Sequence, residues 1–357
     1  MALNVLVTGG AGYIGSHTAR QLVTAGHRVV VLDNFYSGHR WAVPNSASLI
    51  EGDVANGELV KRLLRDHKTQ AVIHFAGHIV VPESVENPQK YYLNNTAGSL
   101  SLMQACMEMG VDKFIFSSSA AVYGTPEVLP AREDAPTAPI NPYGWSKLMT
   151  EWMLRDLATS RKLDSARSDG QGGFRYVALR YFNVAGASID GSLGQATPEA
   201  THLIKVACEA ACGKRDGVTV FGDDYDTADG TCIRDYIHVE DLARAHLAAL
   251  DYLTADGKSE ILNCGYGHGF SVSEVLNQVR QISGVDFAVT MGSRRAGDPP
   301  ALTADVTRIH EVLDWTPQHQ DLAVICRTAH AWEKEGMSKR SETTAPSAHW
   351  LSSLLVI

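Results

Sequence analysis

Between an apolar run, LNVLVT, and an amphipathic stretch, SHTARQLVTAG, the chain reads GGAGYIG, with Gly9, Gly12 and Gly15 three residues apart. Nothing else in the sequence constrains the fold as strongly. Glycines at that spacing let backbone approach a bulky anion and let the following helix press on its strand, while the helix N-terminus offers unpaired N–H groups. The loop leaves a strand, opens a helix, and is answered by Asp33 at the end of the next strand, HRVVVLD. A carboxylate at that place bonds the adenosine ribose hydroxyls of a dinucleotide. It also repels a 2′-phosphate, and no arginine follows at once to receive one, so NAD is expected rather than NADP.

The alternation continues through LIEGD, a helix over 57–67, AVIHFAG, a helix over 88–109, KFIFSSS, a helix opening near 143, and RYVALRYF. Strands alternating with helices predict an α/β fold, a Rossmann-like doubly wound parallel sheet. Gly26 should close the first helix. Beyond about residue 184 the rhythm loosens into short strands such as VTVFG and DYIHV, and into the helix SVSEVLNQVRQISG, which carries Ser271 and Glu274 in capping-box spacing. The expected division is a Rossmann domain over 1–183, a smaller C-terminal substrate lobe over 184–335, and a disordered tail over 336–357. The segment 161–173, charged and Gly-rich, reads as a mobile loop.

A formal charge of −9 with no basic cluster argues against a nucleic-acid partner, since counterion release needs a basic face. No apolar run approaches 18 residues and no charged n-region opens the chain, so neither a membrane span nor secretion is indicated. The six cysteines lack paired zinc-ligand spacing, which leaves no metal site expected and makes a reducing cytoplasm the simple reading.

Chemistry enters at NPYGWSKLMTE. Asn141 suits an N-cap and Pro142 a first helical position, so Tyr143 and Lys147, four residues apart, share one helical face. An ordinary phenol ionises near pH ~10, too high for a general base at neutral pH. An ammonium about 4 Å away, at an effective dielectric of about 20, contributes about 4 kcal/mol and is sufficient to correct that. Upstream, FSSSAAVYG ends the fifth strand at the edge where doubly wound sheets place ligands, and Ser119 is the serine placed to bond the same substrate hydroxyl.

GGAGYIG, FSSSAAVYG and YGWSK resemble the extended short-chain dehydrogenase/reductase superfamily. VIHFAG, PESVENPQKYYLNN, LRYFNVAGA, FGDDYDTADGTCIRDYIHVEDLARAH and RRAGD, in order over about residues 3–335, are similar to the UDP-glucose 4-epimerase family. The resemblance implies Tyr143 as base, Lys147 as its partner and ribose anchor, and Ser119 as hydroxyl ligand. It implies an NAD site of Gly9, Gly12, Tyr13, Ile14, Gly15, Asp33, Asn34, Asp53, Val54, Phe75, Ala76, Gly77, Asn95 and Phe182, joined by Ser119, Tyr143 and Lys147. It implies a sugar-nucleotide site of Asn183, His202, Leu203, Thr219, Phe221, Arg234, Arg295, Asp298 and Leu302, again with Ser119 and Tyr143. Arg234 and Arg295 suit a diphosphate, which favours guanidinium forks. The implied reaction interconverts UDP-glucose and UDP-galactose through a 4-keto sugar on retained NAD, within galactose metabolism, in a homodimer. Its dimer contact would use 97–109 and 145–157, with Leu100, Met103, Met149, Trp152 and Met153.

Two positions depart from the family. Ile79 stands two residues after FAG where many members have a lysine reaching the cofactor, and no role falls to His78. Leu302 is intermediate at a place bulky in members restricted to plain hexoses and smaller in those accepting N-acetylated ones. Weak turnover of UDP-N-acetylglucosamine is therefore expected. A uronate epimerase, or a non-catalytic NAD-binding regulator on the same fold, stays open. A dehydratase is disfavoured because Ser119, Ala120 and Ala121 bring no carboxylate after the fifth strand.

Overall fold

The computed structural model of the chain describes residues 1–165, 173–197, 200–295 and 298–336. In chain order the first half forms β1 (Asn4–Thr8), α1 (Tyr13–Thr24), β2 (Arg28–Asp33), β3 (Ser48–Glu51), α2 (Gly57–Asp66) and β4 (Ala71–His74). It continues with α3 (Val81–Glu86), α4 (Pro88–Tyr91), α5 (Gly98–Met109), β5 (Lys113–Ser119), α6 (Pro142–Ser165) and β6 (Arg175–Tyr181). A π-type segment, Tyr92–Ala97, joins α4 to α5, so the helix expected over 88–109 is continuous but locally widened. Gly26, with φ 86°, follows the last residues of α1 as the sequence predicts.

The second half supplies β7 (Asn183–Ala185), α7 (Leu203–Ala211), β8 (Gly217–Phe221), β9 (Ile233–Arg234), β10 (Tyr236–His238), α8 (Val239–Thr254) and β11 (Glu260–Cys264). It ends in β12 (Phe270–Ser271), α9 (Val272–Ser283), β13 (Ala288–Gly292), β14 (Ala301–Leu302), α10 (Thr307–Val312) and α11 (Leu322–Ala331). Ser271 and Glu274 form the predicted capping box on α9.

Seven parallel strands form the central sheet in the order β11-β6-β5-β4-β1-β2-β3. The order reverses direction beside β1, the switch point where such sheets bind ligands. Alternate side chains bury on opposite faces: Leu6, Val30, Val72 and Phe114 in one cluster, Val5, Val7, Val31, Ile73 and Ile115 in the other. Both faces are therefore covered, as a parallel sheet requires.

The division at residue 183 is not a clean cut in space. β11 returns to pair with β6, Leu262 opposite Leu179, and α8 packs on α1, β5 and β6. One apolar cluster holds Val5 and Ile73 together with Ile204, Val275 and Ile325. The remaining second-half strands make three small sheets, β10 with β7, β12-β9-β14, and β13 with β8, above the carboxyl edge. The predicted mobile loop loses its first part to α6, which runs to Ser165. Of its remainder, 166–172 lies outside the described residues, as does the predicted tail after its first residue, Gly336, which belongs to the π-type segment Trp332–Gly336.

Candidate active site

The glycine loop is shaped by contacts that no other residue tolerates. Gly9 has φ +69°, and a Cβ there would stand 2.6 Å from Ala76 N; a Cβ on Gly15 would stand 2.2 Å from Gly9 O. No side chain caps α1 at Gly12, so its first N–H groups stay available to an anion. Asp33 is buried and accepts from Ala11 N at 2.9 Å and Phe35 N at 2.8 Å. Burial raises its pKa while those two bonds oppose the rise. Its carboxylate thus ties the loop to β2, and Asn34 Nδ2 extends the tie to Asp53 Oδ2 at 3.0 Å. A pyrophosphate cradle with an acid beside it fits a dinucleotide.

That cradle opens into one cavity of about 1150 Å³ running along the carboxyl edge of the sheet into the second half. Every residue assigned above to cofactor or substrate lines it, with one exception. Asn95 is buried behind the wall, where it accepts from His78 N at 2.8 Å and donates to His78 O at 3.0 Å and Ser146 Oγ at 3.1 Å. It shapes the segment after β4 rather than facing the cavity.

On α6 the expected cap is present, with Gly144 N donating to Asn141 Oδ1 at 2.9 Å. Tyr143 and Lys147 do share a face and both line the cavity, and Ser119 bonds the phenol. The electrostatics differ from expectation. Lys147 Nζ lies 5.9 Å from the Tyr143 ring centre and donates instead to Ser117 O at 2.7 Å. Burial pushes the Tyr143 phenol up, with the Ser119 bond opposing it, and brings the Lys147 ammonium down to about 8. The Lys147 ammonium is thus engaged by the end of β5, while the phenol is shifted by burial and by Ser119.

Sequence reasoning missed the support beneath these groups. Glu151, four residues beyond Lys147 on the same buried face, pairs with Arg180 of β6 at 2.7 Å and also accepts from Ser118. Arg180 reaches Tyr123 Oη at 3.0 Å, and Tyr123 donates to Asn263 of β11 at 2.6 Å. The spacing Tyr143, Lys147, Glu151 was the available signal.

At the far arm β13 pairs with β8, and the Arg295 guanidinium sits 3.7 Å from the Phe221 ring centre. Thr219 Oγ1 lies 3.2 Å from Thr290 Oγ1. Arg234 Nη1 donates to Pro299 O at 2.9 Å, and its Nη2 lies 3.7 Å from Asp298. His202, its pKa lowered by burial, lies 2.9 Å from Gln195 Nε2 at the start of α7, beside Leu203. Phe182, Asn183 and Leu302 line the stretch between the arms.

Elsewhere His238, Glu240 and His319 bring ligand-type atoms within 4.8 Å of one another. Both ring nitrogens of His238 are already engaged, with Glu240 N at 3.2 Å and Thr328 Oγ1 at 3.1 Å. Cys208, Cys212 and the other four cysteines are free thiols. Among the described residues no helix is long and apolar enough to cross a membrane.

Residues 5–265, a span ending just past β11, match the model of the NAD dependent epimerase/dehydratase family. A UDP-glucose 4-epimerase of Azospirillum brasilense is 54% identical over 342 residues, covering 96% of this chain and 95% of that protein. A crystal structure of UDP-glucose 4-epimerase from Brucella ovis in complex with NAD is 46% identical with a TM-score of 0.88, covering 93% of this chain and 99% of that one. The UDP-Glc/GlcNAc 4-epimerase of Campylobacter jejuni is 49% identical with a TM-score of 0.80, over 93% and 99%. With the glycine cradle, the Ser119, Tyr143 and Lys147 cluster and the sheet order in agreement, the chain belongs to the NAD dependent epimerase/dehydratase family and, within it, to the UDP-glucose 4-epimerases.

Proposed function

We propose that the chain is an NAD-dependent isomerase that inverts C4 of a UDP-hexose, interconverting UDP-glucose and UDP-galactose. The carrying observation is that one cavity joins the glycine cradle, the Ser119–Tyr143–Lys147 cluster and the Arg234–Arg295 arm. NAD, when bound, accepts a hydride from the sugar carbon and returns it. Gly9, Gly12, Gly15 and Asp33 would hold it at one end and Lys147 at the other. Tyr143 takes the C4 hydroxyl proton as the carbon is oxidised, Ser119 holds that oxygen, and the same phenol gives the proton back after the 4-keto sugar presents its other face. Arg234 and Arg295 keep the nucleotide diphosphate anchored meanwhile, which lets the hexose turn without leaving. The division of labour between a cofactor-holding first half and a nucleotide-holding second half belongs to this proposal, as does a role in nucleotide-sugar metabolism.

The test is to mix purified protein with UDP-galactose, adding no NAD, and follow the anomeric signals by NMR. UDP-glucose appearing toward equilibrium supports epimerisation on a retained cofactor. No change, with NAD found in the denatured protein, points to another sugar nucleotide, uronates included; no bound NAD overturns the reading.

A second reading concerns breadth. Leu302, in β14 at the sugar end, leaves more room than an aromatic residue, and the similar Campylobacter protein is a UDP-Glc/GlcNAc 4-epimerase. Turnover of UDP-N-acetylglucosamine is the expected consequence. If Leu302→Tyr leaves the ratio of N-acetyl to plain turnover unaltered, the side chain is not the gate.

A homodimer through α5 and α6 is part of the same proposal, supported by Leu100 at 48% and Trp152 at 41% exposure. Met103 is fully buried and contributes to the core instead. Six free thiols suit a reducing compartment such as the cytoplasm.

A further inference from the structure

Two segments distant in sequence are fastened together at the cavity wall, and no step of the reaction uses the fastening. One is the turn after β2, where Phe35 takes the left-handed conformation, φ 58°, and Tyr36 follows. The other runs from His78 through α3 to α4. Tyr36 and His78 both line the cavity, and their rings meet edge to face with centres 4.4 Å apart. Outside them, Lys90 on α4 donates to Tyr36 Oη at 2.7 Å and pairs with Glu83. Glu83 is held in turn, its Oε2 2.8 Å from the Tyr91 hydroxyl. The Tyr91 hydroxyl also reaches Val80 O at 2.6 Å.

Packing does not account for this arrangement. Tyr36 is 50% exposed and belongs to none of the apolar clusters. Holding a tyrosine and a lysine in single rotamers costs side-chain entropy, which little apolar burial here offsets. Besides the edge contact with His78, what orders the Tyr36 ring is an ammonium that does not itself line the cavity, bonding the phenol and lying 4.7 Å from the ring centre.

We propose that Tyr36 and Lys90 are positioning residues for cofactor retention. They close the wall between the turn after β2 and the segment after β4, so a dinucleotide seated on the glycine cradle leaves only when the Lys90–Tyr36 bond opens. Such a device suits an enzyme whose cofactor is regenerated at every turnover, because slow release then limits nothing. The inference rests on the NAD reading above and adds to it the residues that set the dissociation rate.

The experiment is exchange of bound NAD for excess isotopically labelled NAD, sampled by rapid gel filtration. It compares wild type with Tyr36→Phe, Lys90→Met, the double variant and Lys90→Arg. Loss of one hydrogen bond to a charged group should speed exchange about tenfold in each of the first two. The double variant should exchange no faster than the faster single one, because both remove one shared interaction, and Lys90→Arg should restore most of the retention. Melting temperatures of the NAD-free proteins should agree, which separates retention from general destabilisation. Equal exchange rates in all variants, or effects that multiply in the double variant, would overturn the proposal. A wild type that carries and binds no NAD would instead overturn the cofactor reading on which it rests.

Discussion

Removing the active-site lysine should make the NAD-free protein more stable at neutral pH. Lys147 is 4% exposed, and burial brings its pKa from 10.5 to about 8. Its amine is therefore harder to protonate folded than unfolded. Below the folded pKa the native state carries the whole cost of the charge. As pH rises the cost fades, and above the unfolded pKa both states are neutral and none remains. At about 1.4 kcal/mol per pH unit the cost near pH 7 is about 3 kcal/mol. Lys147→Met keeps an unbranched stem, one atom shorter, but gives up the 2.7 Å bond to Ser117 O. That loss is worth about 1 kcal/mol, so the net gain is about 2 kcal/mol. Urea unfolding of NAD-free wild type and variant at about pH 7 and about pH 10 measures it. The variant should be more stable at the lower pH, and the gain should shrink toward zero at the higher. Equal or lower stability near pH 7, or a gain indifferent to pH, refutes the assignment of the shift to burial.

Tyr143→Phe removes the phenol and keeps the ring, so kcat should fall by about 10²–10⁴ while the NAD content of the purified protein is unchanged; steady-state kinetics with cofactor quantitation reads both. Gly15→Ala forces a Cβ to 2.2 Å from Gly9 O, and the displaced cradle should show as loss of bound NAD. Arg180→Met strands Glu151, itself 1% exposed, at a cost of about 3–5 kcal/mol in urea unfolding. Replacing both partners, Arg180→Met with Glu151→Leu, should recover much of that cost.

What was legible in the chain was what local spacing dictates. The glycine triplet, the Asn141 cap and the Ser271 and Glu274 box each depend on residues a few positions apart, the Asp33 reply, 22 residues from Ala11, on the set length of one strand–helix–strand unit, and each is present along with the strand and helix alternation. The features that escaped join distant segments: β11 returning to β6, Arg180 beneath Glu151, and Lys90 against Tyr36. No periodicity announces such pairings, because each partner alone reads as an ordinary strand residue or surface charge.

The Tyr143 and Lys147 pair shows where spacing stops being informative even at short range. Four residues on a helix guarantee adjacent Cβ atoms, but a lysine stem is long enough to choose among several acceptors. Here the end of β5 offers the Ser117 carbonyl, and the ammonium takes it rather than the phenol. Proximity then no longer decides the sign of the shift; burial does, raising the acid and lowering the base together. At neutral pH the phenol is therefore protonated at rest while the Lys147 ammonium, still charged below about 8, is engaged by the Ser117 carbonyl, so proton uptake by Tyr143 is expected to be coupled to further charge brought into the cavity. A phenol that ionises only when the cavity is filled does not stand as a free base in the empty enzyme. On this account, titrating the NAD-free protein by ultraviolet absorbance from about pH 6 to about pH 9 should reveal no phenolate from Tyr143. A transition there that Tyr143→Phe abolishes would mean that the helix alone supplies the activation.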